Sequence, residues 1–248
     1  MNTILTRTKK TRSTGLTMMM DKGLSFRQAE DFISSSNEFT DIVKLGFGTA
    51  LITPNLKQKV NLYKENNILV YPGGTLFELF QAKKEINKYK KFLHKNGFET
   101  VEISDGSIDI EHEKKCNLIQ DFAKEFKVIS EVGSKNITAR TNSSEWIESM
   151  KNELDSGSWK VIAEAREAGN TGIFNSNGSI KSELVNTITN NINPDDIIWE
   201  APKKDQQVWF INRFGSNVNL GNISNNDVIS LECMRIGLRS DTFDHFLI

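Results

Sequence analysis

Four short segments share one arrangement. Thr100-Val-Glu-Ile, Val128-Ile-Ser-Glu, Ile162-Ala-Glu-Ala and Ile198-Trp-Glu-Ala each set a glutamate near the end of an apolar run. Side chains alternate along a strand, so Glu102, Glu131, Glu164 and Glu200 are expected on the same face near the ends of their strands. If that face is an interior, the four carboxylates crowd one small volume, repel, and take protons more readily than in water. They then need positive partners. Lys22, Lys44, Lys135 and Arg166 are candidates, and so is a divalent metal. An all-oxygen set with no histidine suits Mg²⁺ far better than zinc. A buried ion-pair network without metal satisfies the same spacing equally well. His94, His112 and His245 do not fall at strand ends, so acid–base work falls to lysines and carboxylates.

Two places could receive an anion. Gly73-Gly74 precedes Thr75-Leu-Phe-Glu78, a capping-box pattern that would open a helix behind exposed backbone N–H groups. Later, Gly221-Asn222-Ile223 follows a run ending near Asn219, with Lys203, Lys204 and Gln207 nearby in sequence. Glycine pairs serve ordinary turns as often as anion sites.

The elements that must position these groups are eight short apolar runs: Leu16–Met20, Ile42–Leu45, Ile68–Tyr71, Thr100–Ile103, Val128–Ser130, Val161–Ala163, Ile197–Trp199 and Val218–Leu220. Helix-like stretches alternate with them, among them Phe77–Phe92, Glu113–Glu125, Trp146–Leu154, Gln206–Phe214 and Val228–Ile236. Strand–helix alternation implies parallel pairing, and eight units in 248 residues imply a single-domain α/β chain folded as a TIM (β/α)8 barrel. The sequence Asp21-Lys22-Gly23 after the first strand is no dinucleotide fingerprint, which argues against an open doubly wound sheet. In a barrel the active site occupies the carboxyl ends of the strands. Those ends read Asp21-Lys22, Lys44, Pro72 to Thr75, Glu102 to Asp105, Glu131, Glu164 to Arg166, Glu200 and Asn219 to Asn222. The turn-rich stretch 169–181 then belongs to the same face, as surface variation or as a mobile active-site loop.

Residues 1–14 carry Arg7, Lys9, Lys10 and Arg12 without an apolar core and read as a flexible, solvated basic arm; residues 15–248 form the barrel. The net charge of −1 gives no reason to expect nucleic acid or an anionic membrane as partner. No run approaches the ~20 apolar residues of a membrane span. Cys116 and Cys233 read as ordinary thiols, and a cytoplasmic address is expected.

At these residues the chain resembles the phosphosulfolactate synthase family. The similarity is carried by GLTMMMDKG (15–23), DIVKLGFGT (41–49), VYPGGTLFE (70–78), VEISDGSI (101–108), SEVGSK (130–135), AEAREAG (163–169), WEAPKKDQQVWFINRFGSNVNLGNI (199–223) and LECMRIGLRSDTF (231–243). It implies a Mg²⁺-dependent TIM-barrel lyase that adds sulfite to phosphoenolpyruvate and makes (2R)-phospho-3-sulfolactate, on a route to coenzyme M or sulfolactate. It further implies Lys135 as the acid, Lys44, Arg166 and Lys204 as anion binders, and one or two of the four glutamates as direct metal ligands. Ser134 stands where the family often has a first lysine, and Asn170 or Thr171 where relatives tend to have another cation. A Mg²⁺-dependent enolate or aldolase-type enzyme on another phosphorylated acid would suit the same site, and a non-catalytic stress-associated relative is the third reading. Arg235 and Arg239, near the end of the last helix and away from the site, serve either the stability of that face or contact with a neighbouring subunit, and an interface role in a homo-oligomer is the expectation.

Overall fold

The computed structural model describes residues 7–133, 142–165 and 167–243. Eight parallel strands form one sheet: β1 (Thr17–Asp21), β2 (Ile42–Leu45), β3 (Leu69–Pro72), β4 (Thr100–Ile103), β5 (Lys127–Val132), β6 (Ser158–Ala163), β7 (Ile197–Glu200) and β8 (Leu220–Ser224). Their order is β3-β2-β1-β8-β7-β6-β5-β4, and β3 lies beside β4 without a ladder between them. Two side-chain bonds close that seam. The Gly74 N–H donates to Glu102 Oε1 at 2.7 Å, and Ser104 Oγ donates to Glu78 Oε1 at 2.6 Å.

The helices are α1 (Phe26–Ser36), α2 (Thr49–Ile52), α3 (Leu56–Glu65), α4 (Gly74–Ala82), α5 (Ile86–Asn96), α6 (His112–Ala123), α7 (Ser143–Asp155), α8 (Ser182–Thr189), α9 (Lys204–Phe214), α10 (Val228–Arg235) and α11 (Ser240–Phe243). The single helix expected over Phe77–Phe92 is two. Lys84 takes a left-handed φ of 57°, and the N–H of Glu85 turns back to the carbonyl of Phe80 at 2.8 Å. A non-glycine residue makes this break, so no glycine marks it in the sequence.

Strands buried on both faces read as near-continuous apolar runs, and these do. One face packs under the helices. The other fills the barrel with Leu16, Met18, Ile42, Tyr71, Ile129, Ile162 and Ile198. Two residues further along β2, β5, β6 and β7, on the same inward face, come Lys44, Glu131, Glu164 and Glu200. An apolar plug therefore supports a charged layer at the carboxyl ends.

The amino-terminal end is sealed by arginines. Arg235 is fully buried and donates to the carbonyls of Ser216 (2.6 Å), Val218 (2.7 Å) and Leu16 (3.1 Å). It is thus a clamp within the chain on the starts of β1 and β8, which gives this residue the face-stability role of the two expected and not the interface. Arg239 lies at the surface beside Asp241. Residues 7–14, expected as a solvated arm, are seated on the same end. Arg7 pairs with Glu232 at 3.0 Å, Arg12 with Asp41 at 3.0 Å, and Lys10 donates to the Asn66 carbonyl at 2.9 Å. No helix among the described residues is long and apolar enough to cross a membrane.

Removing the Arg235 guanidinium strands three carbonyls where water cannot reach them. Arg235→Met is expected to lower unfolding free energy by about 3 kcal/mol or more, each orphaned buried acceptor costing roughly 1–3 kcal/mol. Urea denaturation measures it; a loss under about 0.5 kcal/mol, the level of an indifferent surface change, contradicts the assigned role.

Candidate active site

The mouth of the barrel holds a cavity of about 320 Å³, lined by Lys44, Glu102, Glu131, Glu164 and Glu200 together with Met20, Phe47, Gly73, Gly74, Thr75, Glu167, Ala168 and Asn222. All four glutamates are buried there, 1–3% exposed. Lys44 Nζ lies 2.9 Å from Glu102 Oε2, 3.3 Å from Glu131 Oε2 and 3.5 Å from Glu200 Oε1. Burial works against the charge on Lys44, but these carboxylates outweigh it and hold its pKa well above the ordinary lysine value.

The four carboxylates do not play equal parts. Glu102 is held on one oxygen by the Gly74 N–H and on the other by Lys44. Glu131, Glu164 and Glu200 instead present three oxygens within 4.8 Å of one another, so one cation can reach all of them. Glu200 is fixed by the Ala165 N–H, which donates to its Oε2 at 3.1 Å. A divalent cation fits that all-oxygen donor set. The buried triad can hold a metal ion.

Gly73 and Gly74 line the mouth, but their amides, expected to be exposed, are engaged within the chain. The Gly73 N–H donates to the Leu45 carbonyl at 2.9 Å, and the Gly74 N–H is taken by Glu102. What Gly74 supplies is space: a Cβ there would meet Glu102 Oε1 at 2.4 Å and Ser104 Oγ at 2.1 Å. The expected capping box is replaced as well, since Glu78 accepts from Ser104.

Strand eight begins two residues later than its expected start at Val218 and runs on through Ser224, which relocates two of the three expected site residues there. Asn219 sits at the opposite end of the barrel. Its side chain accepts from the Leu16 N–H at 3.0 Å and donates to the carbonyls of Asp195 and Ile197. Gly221 is a packing glycine inside the barrel, where a Cβ would lie 2.4 Å from Met18 Cε. Asn222 does reach the mouth. Lys204 points along the outside of α9 to Asp241 at 2.9 Å, and Gln207 donates to the Ala201 carbonyl at 3.0 Å. Lys22 stands at the rim in an ion pair with Glu167. Lys135 and the Arg166 side chain lie outside the described residues.

Sequence reasoning passed over Gln206, which braces the loop after β6 by donating to the carbonyls of Gly169 (2.9 Å) and Gly178 (3.2 Å). That loop packs Ile173 and Phe174 into the core. Asp21, expected at the strand end, is gripped by Lys59 at 2.7 Å and Tyr63 at 2.8 Å on the helix side of β1. Also missed was Lys115, buried in α6. Nothing local distinguishes Lys115 from its exposed neighbour Lys114.

The model of the (2R)-phospho-3-sulfolactate synthase (ComA) family matches residues 5–241. The chain belongs to that family. It is 41% identical over 240 residues to the phosphosulfolactate synthase of Bacillus subtilis, covering 96% of this chain and 95% of the relative. It is 42% identical over 236 residues to that of Methanocaldococcus jannaschii, covering 92% and 94%. Among solved structures, 3-keto-L-gulonate-6-phosphate decarboxylase from Vibrio cholerae superposes with a TM-score of 0.56 at 10% identity, over 94% of this chain and 99% of that one. That likeness speaks for the barrel alone. As a phosphosulfolactate synthase family member, the chain keeps its charged layer where barrel enzymes do their chemistry.

Burial drives the carboxyl of Glu102 up to about 7, with Lys44 drawing it down and Glu131 adding to the rise. The folded protein then retains a proton between pH 4.5 and about 7 that the unfolded chain has released. This contribution to stability is full below the unfolded value and is lost as pH rises through the folded one. In metal-free protein the urea midpoint is expected to fall from about pH 5 to about pH 8, and Glu102→Gln to flatten that fall. An identical slope in the variant contradicts the assignment.

Proposed function

We propose that this chain adds sulfite to phosphoenolpyruvate to give (2R)-phospho-3-sulfolactate, with Mg²⁺ as its cofactor. The observation that carries the reading is the pairing of near-complete family coverage with a buried carboxylate triad set against Lys44 at the barrel mouth.

Sulfite sulfur attacks the methylene carbon of phosphoenolpyruvate, so a C–S bond forms as the C=C π bond breaks. Its electrons move toward the carboxylate and give an aci-carboxylate, which then takes a proton at the adjacent carbon. Mg²⁺ held by Glu131, Glu164 and Glu200 would supply the positive charge that such a dianion requires. Lys44, engaged by three carboxylates, acts as the counter-ion that keeps this layer together rather than as a direct ligand of sulfite or phosphate. Glu102 and Gly74 hold Lys44 from the seam side. Asn222 offers an amide at the cavity wall, and Lys22 with Glu167 marks the rim. Lys135 is the proton donor and Arg166 an anion binder in this reading, both carried from the family motif.

Purified protein with Mg²⁺, phosphoenolpyruvate and sulfite is expected to form phosphosulfolactate, detected by mass spectrometry. EDTA should abolish the reaction and added Mg²⁺ restore it. Lys135→Ala should lose at least ~10²-fold in kcat with little change in substrate affinity, the scale of a lost general acid. Absence of product beside an active archaeal relative would favour an enolate or aldolase-type reaction on another phosphorylated acid. Equal turnover by Lys135→Ala would remove that residue from the mechanism.

A further inference from the structure

Strand β5 outruns its neighbour. The register of β4 with β5 ends at Ile103↔Ser130, whereas β5 continues to Val132. Residues 127, 129 and 131 aim their backbone groups toward β4, as the Lys127 N–H does in donating to the Glu99 carbonyl at 2.8 Å. The carbonyl of Glu131 therefore points where β4 has no further ladder partner to give. Lys115 fills the place. Its ammonium, 1% exposed on α6, donates to the Glu131 carbonyl at 2.7 Å. It also donates to Asp105 Oδ1 at 2.9 Å, in the loop after β4, and forms an ion pair with Glu153 Oε1 at 2.8 Å on α7. Four elements thus meet on one nitrogen.

We propose that Lys115 is a positioning residue for the metal-facing carboxylate of Glu131: it fixes the backbone of Glu131 from behind, while Asp105 and Glu153 hold Lys115 in place. The inference rests on the reading of Glu131, Glu164 and Glu200 as a metal site. The physical ground is that the triad is useful only if its oxygens stay within bridging distance. Glu131 lies in a stretch of β5 that overhangs β4. An ammonium held by two hydrogen-bond acceptors and an ion-pair partner permits little drift in that overhang, whereas water or a neutral side chain would. Burial disfavours the charged amine, yet Glu153 and Asp105 outweigh it, so the clamp stays protonated.

Lys115→Met alone would leave Glu153 buried without its counter-charge and risks unfolding. The decisive variant is the double substitution Lys115→Met with Glu153→Leu. It exchanges a buried ion pair for apolar groups, a change that proteins often accept without loss of stability. It also leaves the net charge near the site unaltered, so any effect on metal binding reports geometry and not field. The probe is Mn²⁺, titrated into full-length protein and followed by electron paramagnetic resonance, with circular dichroism to establish the fold. The double variant is expected to fold and to bind Mn²⁺ about 10–100-fold more weakly than wild type, the usual cost of removing a partner that orients a ligand. Affinity within twofold of wild type in the folded double variant overturns the role of Lys115. Failure of the wild-type protein to bind Mn²⁺ at all overturns the metal reading beneath it, and the two failures cannot be confused.

Discussion

Lys44 sits among carboxylates that could not share a barrel mouth without it. Three of them approach within 3.5 Å of its ammonium, all essentially removed from water. Taking charges out of water costs several kcal/mol apiece, repaid only when each finds a partner in good geometry. Much of the local structure follows from this demand. Gly74 has no side chain because Glu102 must come up against its N–H, and the Ala165 amide is turned inward to Glu200. The triad of Glu131, Glu164 and Glu200 in the same layer can hold a metal ion.

The two ends of the barrel divide the physical work. At the amino-terminal end, Arg235 takes up carbonyls at the starts of strands, and Arg7 and Arg12 close the surface over Glu232 and Asp41. Those contacts contribute stability and nothing reactive. At the carboxyl end, burial and like charge raise the carboxyls of Glu102 and Glu200, which is a cost accepted for chemistry. Between them the apolar plug of Met18, Ile42, Tyr71, Ile129, Ile162 and Ile198 keeps the two charged layers apart.

Strand composition and the Ile-x-Glu spacing made the barrel and its glutamate layer legible from residues alone, because alternation along a strand leaves no freedom about which face a side chain takes. The start of β8 was not legible. Val218-Asn-Leu alternates as the start of a strand would, and only its packing shows that Asn219 serves the closed end and Asn222 the open one. The seam between β3 and β4 was equally hidden, since a glycine pair before a helix looks the same whether its amides await an anion or are already taken by Leu45 and Glu102. Lys115 carries no mark in a run of charged residues; its importance comes from the unequal lengths of β4 and β5.

Crystals of the protein grown or soaked with Mn²⁺, measured for anomalous scattering, test the central electrostatic claim most directly. One anomalous peak is expected, bounded by carboxylate oxygens of Glu131, Glu164 and Glu200, with Lys44 still paired to Glu102. A peak elsewhere, or an empty triad neutralised entirely by basic side chains, would contradict it.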